Sequence, residues 1–202
     1  MKLRYLTAGE SHGPALCGII EGLPAGIRVE QSDFVSLLQS RRAGYGRGAR
    51  ARIETDEVEV LSGIIGGLTT GSPVALTIRN RDFAKHAAYM HPFTADTESG
   101  QICVPLPGHA DLAGITRYGL HDCRPVRERA SARETAMRVA LSVPPRNLLK
   151  QLGIRSTCFV ESLGGIKAAI DYTAAPEAIA AAVEQNGEDF LTPDAAIIQS
   201  WR

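Results

Sequence analysis

The stretch KLRYLTAGESHGPALCGIIE, residues 2–21, predicts two β-strands joined by a tight turn. Apolar residues dominate segments 2–8 and 14–21, whereas Gly9–Gly13 between them combines two glycines with polar side chains. Because glycine lets a ligand approach the backbone closely, His12 in this turn is a candidate ligand-contacting residue. A turn histidine that simply faces solvent is the alternative interpretation.

An arginine-rich loop follows about thirty residues further on. It reads RRAGYGRGARAR, residues 41–52, with five arginines and no acidic residue. Guanidinium groups bind phosphates and carboxylates through paired hydrogen bonds, and glycines let backbone N–H groups surround an anion. A helix predicted over residues 32–42, capped by Ser32 or Asp33, leads into the loop. Together with His12, the loop suggests proton transfer to or from a multiply charged small molecule.

The composition limits the function classes. The 202 residues suffice for one large domain or two small ones, and 44% of them are hydrophobic. A formal net charge of zero with 5% aromatic residues argues against a binder of nucleic acid or membranes. Four widely spaced cysteines fit reduced thiols, and the chain shows no signal peptide and no membrane span. We therefore expect a cytoplasmic protein.

Periodicity and turn residues predict the remaining elements. We expect strands over residues 58–65, 74–78 and 160–169, and helices just after His109, over 127–143 and over 176–184. Pro144-Pro145 is expected to end the second of these helices. Residues 80–108 form a long polar connection, which in a compact domain is usually functional or mobile.

Two further motifs carry candidate chemistry. Pro107–Asp111 (PGHAD) places a second histidine, His109, in a tight turn, and a proton-transfer site often needs both a donor and an acceptor; an ordinary helix-entry turn is the alternative. Arg129 and Arg133 would share one face of a helix and could bind an anion or a flat cofactor, unless they only pair with nearby glutamates. His86 and His91 are spaced poorly for one helix face, so we predict no metal site.

Seven ordered blocks of the sequence resemble the chorismate synthase family. They are Arg4–Pro14, Glu21–Gly26, Gly44–Gly48, Val60–Gly63, Gly71–Leu76, Pro107–Leu112 and Ser131–Ala136. The resemblance covers roughly the N-terminal half of the family. It implies an α+β fold, a β-α-β sandwich of the chorismate synthase type that is truncated. Residues 1–202 would form the N-terminal portion of one domain whose C-terminal half is absent.

The resemblance also implies an activity. Family members are phosphate lyases that convert 5-enolpyruvylshikimate 3-phosphate to chorismate by a 1,4-anti-elimination, in the pathway to the aromatic amino acids. They require reduced FMN without net redox change, and some members use NADPH to reduce their own flavin. They assemble as homotetramers when full length. An inactive chain that retains partial flavin or anion binding, or a role in assembly, is the alternative function.

Site residues follow from the same resemblance, position by position. His12 and His109 would be the acid–base histidines. Cofactor-binding residues would be Arg41, Arg47, Arg129, Ala130 and Ser131. Arg50 and Arg133 would bind the substrate.

The sequence departs from the family pattern at two places besides its length. Leu106 stands where the family usually has arginine before Pro-Gly-His, so one substrate arginine is missing. Ser142–Arg146 (SVPPR) interrupts a helix that the family continues, and a proline inside a helix costs about 3 kcal/mol.

Overall fold

The computed structural model describes residues 2–48, 53–187 and 189–202, and its main sheet has four antiparallel strands. In spatial order these are β1 (Arg4–Ala8), β2 (Ala15–Glu21), β7 (Val74–Arg79) and β4 (Val58–Ser62). A smaller sheet has the order β3 (Ala25–Arg28), β6 (Leu68–Thr70) and β5 (Ile64–Ile65). A two-stranded hairpin, β8 (Ser162–Leu163) and β9 (Ile166–Lys167), lies late in the chain.

Eight α-helices and one 3₁₀ turn are found in the part of the chain that the structure describes. The helices are α1 (Gln31–Arg42), α2 (Phe83–Met90), α3 (Asp111–Tyr118), α4 (Arg124–Ala130), α5 (Thr135–Leu141), α6 (Val143–Gln151), α7 (Pro176–Asn186) and α8 (Ile198–Trp201). The 3₁₀ turn spans Ala132–Glu134, between α4 and α5. None of these helices combines the length and the apolar character needed to cross a membrane.

The core lies between one face of the main sheet and helix α5. Leu16, Leu76 and Ile78 are fully buried on the sheet, and Met137 and Ala140 are fully buried on the helix. Strand side chains alternate between the two faces, so the intervening residues of β2 point away from α5 and are exposed. The antiparallel sheet with helices packed on it confirms the predicted α+β class.

A glycine lets α5 approach the sheet closely. A Cβ at Gly18 would lie 2.7 Å from Leu141 Cδ1 and 2.8 Å from Met137 Cγ, closer than side chains normally pack. Gly18 therefore sets the spacing between β2 and α5. Because the segment that precedes α5 carries predicted site residues, this spacing also positions that segment over the β1–β2 turn.

Several sequence predictions are confirmed and others are wrong in detail. The first two strands, helix α1, the helix after His109 and the helix at Pro176 form as predicted. The predicted strand over 58–65 divides at Gly63, whose φ of +81° breaks the extended backbone. The predicted strand over 160–169 is only the β8–β9 hairpin. Glu30, not Ser32 or Asp33, caps α1, and Asp33 completes its capping box.

The two largest errors concern helices. The connection over 80–108 contains α2, eight residues long, which the sequence analysis missed. The single helix predicted over 127–143 is interrupted at Ser131, whose ψ of 146° is incompatible with a helix. Pro144-Pro145 does not end a helix but begins α6, because proline is tolerated in the first helical turn, where its missing N–H is not needed.

Candidate functional site

The turn between β1 and β2 is held in a shape that only glycine allows at its start. Gly9 has a φ of +103°, and a Cβ there would lie 2.4 Å from the carbonyl oxygen of Ala15. Buried Asn80, just after β7, donates its side-chain amide to the carbonyl oxygens of Glu10 (3.1 Å) and Gly13 (2.8 Å). The side chain of Asn80 therefore holds the backbone on both sides of His12 in place.

His12 is held by a single carboxylate from helix α4. Glu128 accepts a hydrogen bond from the backbone N–H of His12 at 2.7 Å, and its other oxygen lies 2.8 Å from Nδ1 of the ring. The carbonyl oxygen of Glu128 also accepts from the N–H of Ser11 at 3.0 Å. With Nδ1 directed at this carboxylate, acid–base chemistry by the ring would use Nε2. The His12 side chain keeps 29% of its exposure, so a ligand can reach it.

The predicted cofactor segment Arg129–Ser131 packs against the same turn. Arg129 donates to the carbonyl oxygen and the hydroxyl of Thr7, both at 2.7 Å. The hydroxyl of Ser131 donates to that of Ser11 at 3.0 Å. The structure thus brings His12, Arg129 and Ser131 together, with Ala130 exposed between the latter two.

Arg133 occupies a different environment from Arg129. The prediction that both share one helix face is wrong, because the helix ends at Ala130 and Ser131 separates it from the 3₁₀ turn that contains Arg133. Arg133 is only 6% exposed; it donates to Asn80 Oδ1 at 3.0 Å and pairs with Asp56 and Glu54. Its guanidinium therefore sits beneath the turn, inside a buried ion-pair network.

Asp56 gathers several arginines around one buried carboxylate. In addition to the contact between Asp56 and Arg133, the Oδ2 atom of Asp56 lies 3.6 Å from Arg41 Nη1 and 3.8 Å from Arg42 Nε. Its φ of +54° is unusual for a residue other than glycine, which marks backbone strain at this position. Burial is the largest influence on Arg41 and lowers the pKa of its guanidinium, with neighbouring arginines lowering it further and Asp56 opposing them.

Of Arg41, Arg47 and Arg50, the structure describes the first two. Arg41 donates to Thr135 Oγ1 at 3.1 Å and to the carbonyl oxygen of Ala132 at 3.0 Å, so it adjoins the segment that follows Ser131. Arg47 is exposed and donates to the carbonyl oxygen of Ala43 at 2.9 Å. Arg50 lies outside the described residues.

His109 forms a second histidine–carboxylate pair, also attached to α4. Its Nδ1 lies 2.7 Å from Asp111 Oδ1, and Arg127 Nε lies 2.5 Å from the other oxygen of Asp111. Burial alone would raise the pKa of Asp111, but hydrogen bonds from the Leu106 N–H, Arg127 and His109 outweigh it and lower the pKa to about 2. Leu106 itself is 51% exposed.

An open apolar hollow of about 440 Å³ lies between α3 and α4, beside Arg129. Small residues and apolar side chains form most of its wall, and Arg117, Tyr118 and Arg129 add polar groups. The two helices meet closely at Gly114, which has no Cβ. A Cβ at this position would lie only 2.4 Å from Val126 Cγ1. A flat, largely apolar ring with an anionic substituent matches this chemistry.

A third histidine, His86 of α2, packs on the ring of His12. The two ring centroids are 4.2 Å apart, and Nε2 of His86 lies 3.2 Å from Asp82 Oδ2. A hydrogen bond from Lys85 is the largest cause that lowers the pKa of Asp82, to about 2. The spacing of His86 and His91 along the chain gave no sign of this contact, because it depends on helix α2, which turns His86 towards His12.

Sequence reasoning missed four residues that organise the site: Asp56, Asn80, His86 and Glu128. All four lie far from His12 in sequence, and no local spacing connects them to it. Glu128 had a usable signal, since it stands directly before the Arg129–Ser131 segment. The sequence analysis grouped it only with possible surface ion pairs.

Comparison with known proteins gives one consistent result. A family model described as "Chorismate synthase" matches residues 3–201. A chorismate synthase of Chlorobaculum parvum is 50% identical over 183 residues, which are 90% of this chain and 45% of that protein. One of Lactiplantibacillus plantarum is 44% identical and matches 97% of this chain and 51% of its own length.

A solved structure gives the same result. A crystal structure of chorismate synthase superposes with a TM-score of 0.74 and 34% sequence identity, over 99% of this chain and 51% of that chain. The chain thus spans about half the length of the relatives it matches.

Proposed function

The chain belongs to the chorismate synthase family, and from this premise we propose that it serves the 1,4-anti-elimination of phosphate from 5-enolpyruvylshikimate 3-phosphate to give chorismate. In that reaction the substrate loses a ring proton and its phosphate, and a diene forms. The relatives are about twice as long as this chain. We therefore propose the activity for a protein in which these residues are combined with a second half like that of the relatives.

One observation carries the proposal: His12 and the Arg129–Ser131 segment form a single contact unit. Glu128 holds His12 at 2.7 and 2.8 Å, and Ser11 and Ser131 join the two segments at 3.0 Å. The sequence analysis assigned acid–base chemistry to His12 and cofactor contact to Arg129–Ser131. Their meeting at one surface supports a site where proton transfer occurs beside a cofactor.

Arginines adjoin this unit, as a substrate with one phosphate and two carboxylates requires. Arg41 is linked to the other end of the segment through Ala132 and Thr135. We propose that Arg41, Arg47 and Arg50 bind the anionic groups of the substrate, or the phosphates of NADPH where the enzyme reduces its own flavin. Arg133 is held under the turn by Asp56 and Glu54, and we propose that it supports the substrate site through its hydrogen bond to Asn80, which fixes the turn.

The residues around the hollow fit a reduced flavin. The apolar wall between α3 and α4 suits the ring system, and the guanidiniums of Arg117 and Arg129 suit its phosphate. Reduced FMN, when bound, supplies an electron-rich ring that assists the loss of phosphate without net oxidation. The chain's own groups orient the substrate, hold His12 with Nδ1 towards Glu128, and place His109 as the second acid–base group.

Assembly and location are part of the same proposal. We propose a homotetramer because the resemblance to the family implies one. A cytoplasmic location agrees with the four cysteines, whose wide spacing fits reduced thiols. The alternative function, partial flavin or anion binding without turnover, makes a different prediction for the assay below.

The test is an anaerobic assay with excess reduced FMN and 5-enolpyruvylshikimate 3-phosphate. The protein is a chimera that joins this chain to the remaining half of the Chlorobaculum parvum relative. We expect chromatography to detect chorismate and phosphate in equal amounts. A folded chimera that binds FMN and forms no chorismate would favour the alternative function.

A further inference from the structure

His12, Asp82 and His86 bring together three side chains of metal-ligating type. Asp82 and His86 are four residues apart at the start of α2 and share one helix face. Nε2 of His86 lies 3.2 Å from Oδ2 of Asp82, and the His86 ring packs 4.2 Å from that of His12. One ligand atom from each of the three residues lies within 4.8 Å of the other two.

Two imidazoles and a carboxylate are a set that suits Zn²⁺ and Co²⁺. Around a tetrahedral zinc ion with bonds of about 2.0–2.2 Å, neighbouring ligand atoms lie about 3.4 Å apart. The pair from α2 already has this spacing, at 3.2 Å. The three side chains are partly exposed, and the ligand atom of His12 lies within 4.8 Å of those of the other two residues.

Both histidines also have the outer contact that metal-binding histidines usually show. Glu128 Oε1 lies 2.8 Å from Nδ1 of His12, and the Tyr89 hydroxyl is hydrogen-bonded to Nδ1 of His86. Such contacts orient the ring and make Nε2 the coordinating nitrogen. Lys85 competes for the carboxylate, since its Nζ lies 2.9 Å from Asp82 Oδ1, but its side chain is 70% exposed and can turn away.

We propose that His12, Asp82 and His86 bind one divalent transition-metal ion, Zn²⁺ or its analogue Co²⁺, with water completing the coordination. A metal ion on His12 would occupy the ring that the elimination uses, so Zn²⁺ would inhibit turnover. Only that consequence rests on the proposed function, because metal binding is measured without substrate or flavin.

The test is a titration of the purified 202-residue chain with Co²⁺, followed by visible absorption. We expect the intense d–d bands of four-coordinate Co²⁺, saturating at one ion per chain and disappearing when Zn²⁺ is added. His86→Ala removes a ligand, so it should weaken binding by more than about 10–100-fold, the loss typical of removing only an outer contact. Glu128→Gln should fall within that smaller range.

His121→Ala is the matched control, since His121 is exposed and lies between α3 and α4. It should bind Co²⁺ as the parent chain does. Far-UV circular dichroism checks that each variant folds, and His86→Gln replaces His86→Ala if the latter does not. The proposal is overturned if no d–d bands develop in the parent chain, or if the His86 variant binds as tightly as the parent.

Discussion

At the scale of single residues, the site depends on carboxylates that hold histidines. Glu128 holds His12 through both the backbone and the ring, and Asp111 holds His109. A histidine on a turn has several rotamers, and ordering it reduces the entropy lost when the substrate binds. The two carboxylates therefore restrict both histidine side chains before any ligand arrives, as the proposed proton transfer requires.

Removing the ring of His12 should affect turnover more than affinity. In the chimera, His12→Ala should lower kcat by about 10²–10⁴-fold, because this is the usual contribution of a general acid–base group. Steady-state kinetics with pre-reduced FMN give kcat and KM separately. If the variant keeps a kcat near that of the parent, His12 is a turn residue and nothing more.

Glu128→Gln tests the positioning of His12. The amide keeps the size of the side chain but replaces one carboxylate oxygen with an NH2 group, which cannot accept a hydrogen bond, so one of the two contacts to His12 is lost. We therefore expect kcat to fall while KM and thermal stability change little. Glu128→Asp retains the charge and should recover part of the loss. Glu59→Gln, an exposed change on β4, is the control and should leave kcat unaltered. Equal kcat values in Glu128→Gln and the parent would contradict the positioning role.

At the scale of elements, the β1–β2 turn and the α3–α4 pair present the site. The turn is closed by Gly9 and Asn80. Helix α4 carries Glu128, which holds His12, and Arg127, which donates to Asp111, the partner of His109. A change in the backbone of either element moves a histidine relative to the other parts of the site.

Gly9→Ala should destabilise the protein more than Gly26→Ala. Both glycines have positive φ, at +103° and +84°, so both substitutions carry the strain of about 1–2 kcal/mol that a Cβ meets in this region. Only at Gly9 would the Cβ also meet backbone, 2.4 Å from the oxygen of Ala15, whereas Gly26 has open space. Urea unfolding of both variants measures the difference. Equal losses would show that the turn can relax around a side chain.

The Asp111 contacts predict a loss of stability in acid. With a pKa of about 2 in the folded protein and 3.8 ordinarily, Asp111 stabilises the fold above pH 3.8, and this contribution disappears as the pH falls towards 2. Asp111→Asn should therefore be less stable than the parent at pH 6, and the gap should narrow between pH 4 and pH 2. Thermal melts across this range give the comparison. A gap that stays constant with pH would exclude a role for the charge.

At the scale of the whole molecule, the site is open on the side of the hollow. His12 keeps 29% exposure and the hollow between α3 and α4 faces solvent. Fixed charges stabilise a transition state most strongly where water is excluded. The relatives have about as many residues again, and we expect a second half like theirs to cover the hollow.

We therefore expect the 202-residue chain by itself to form no chorismate in the assay with excess reduced FMN. The chimera is its control, and both proteins are compared at equal concentration by chromatography of the product. Turnover by the chain alone at the rate of the chimera would show that these residues exclude water from the reaction sufficiently.

The sequence by itself determined the elements that local patterns encode. Alternating apolar residues and paired glycines specified β1, β2 and the His12 turn, and seven ordered blocks identified the family. The class of fold followed from these. Such features depend on residues close together in the chain, where sterics and periodicity act directly.

Only the tertiary structure decided which side chains meet. Glu128 reaches His12 across 116 positions, and Asp56 reaches Arg133 across 77, distances at which no sequence spacing predicts a contact. The break at Ser131 also escaped prediction, because its ψ of 146° goes with contacts to Ser11 and Arg133 that outweigh the helical preference of its neighbours. The arrangement of the site residues thus depends on contacts that form only when α4 and the 3₁₀ turn pack over the sheet. The sequence of each segment taken separately does not determine these contacts.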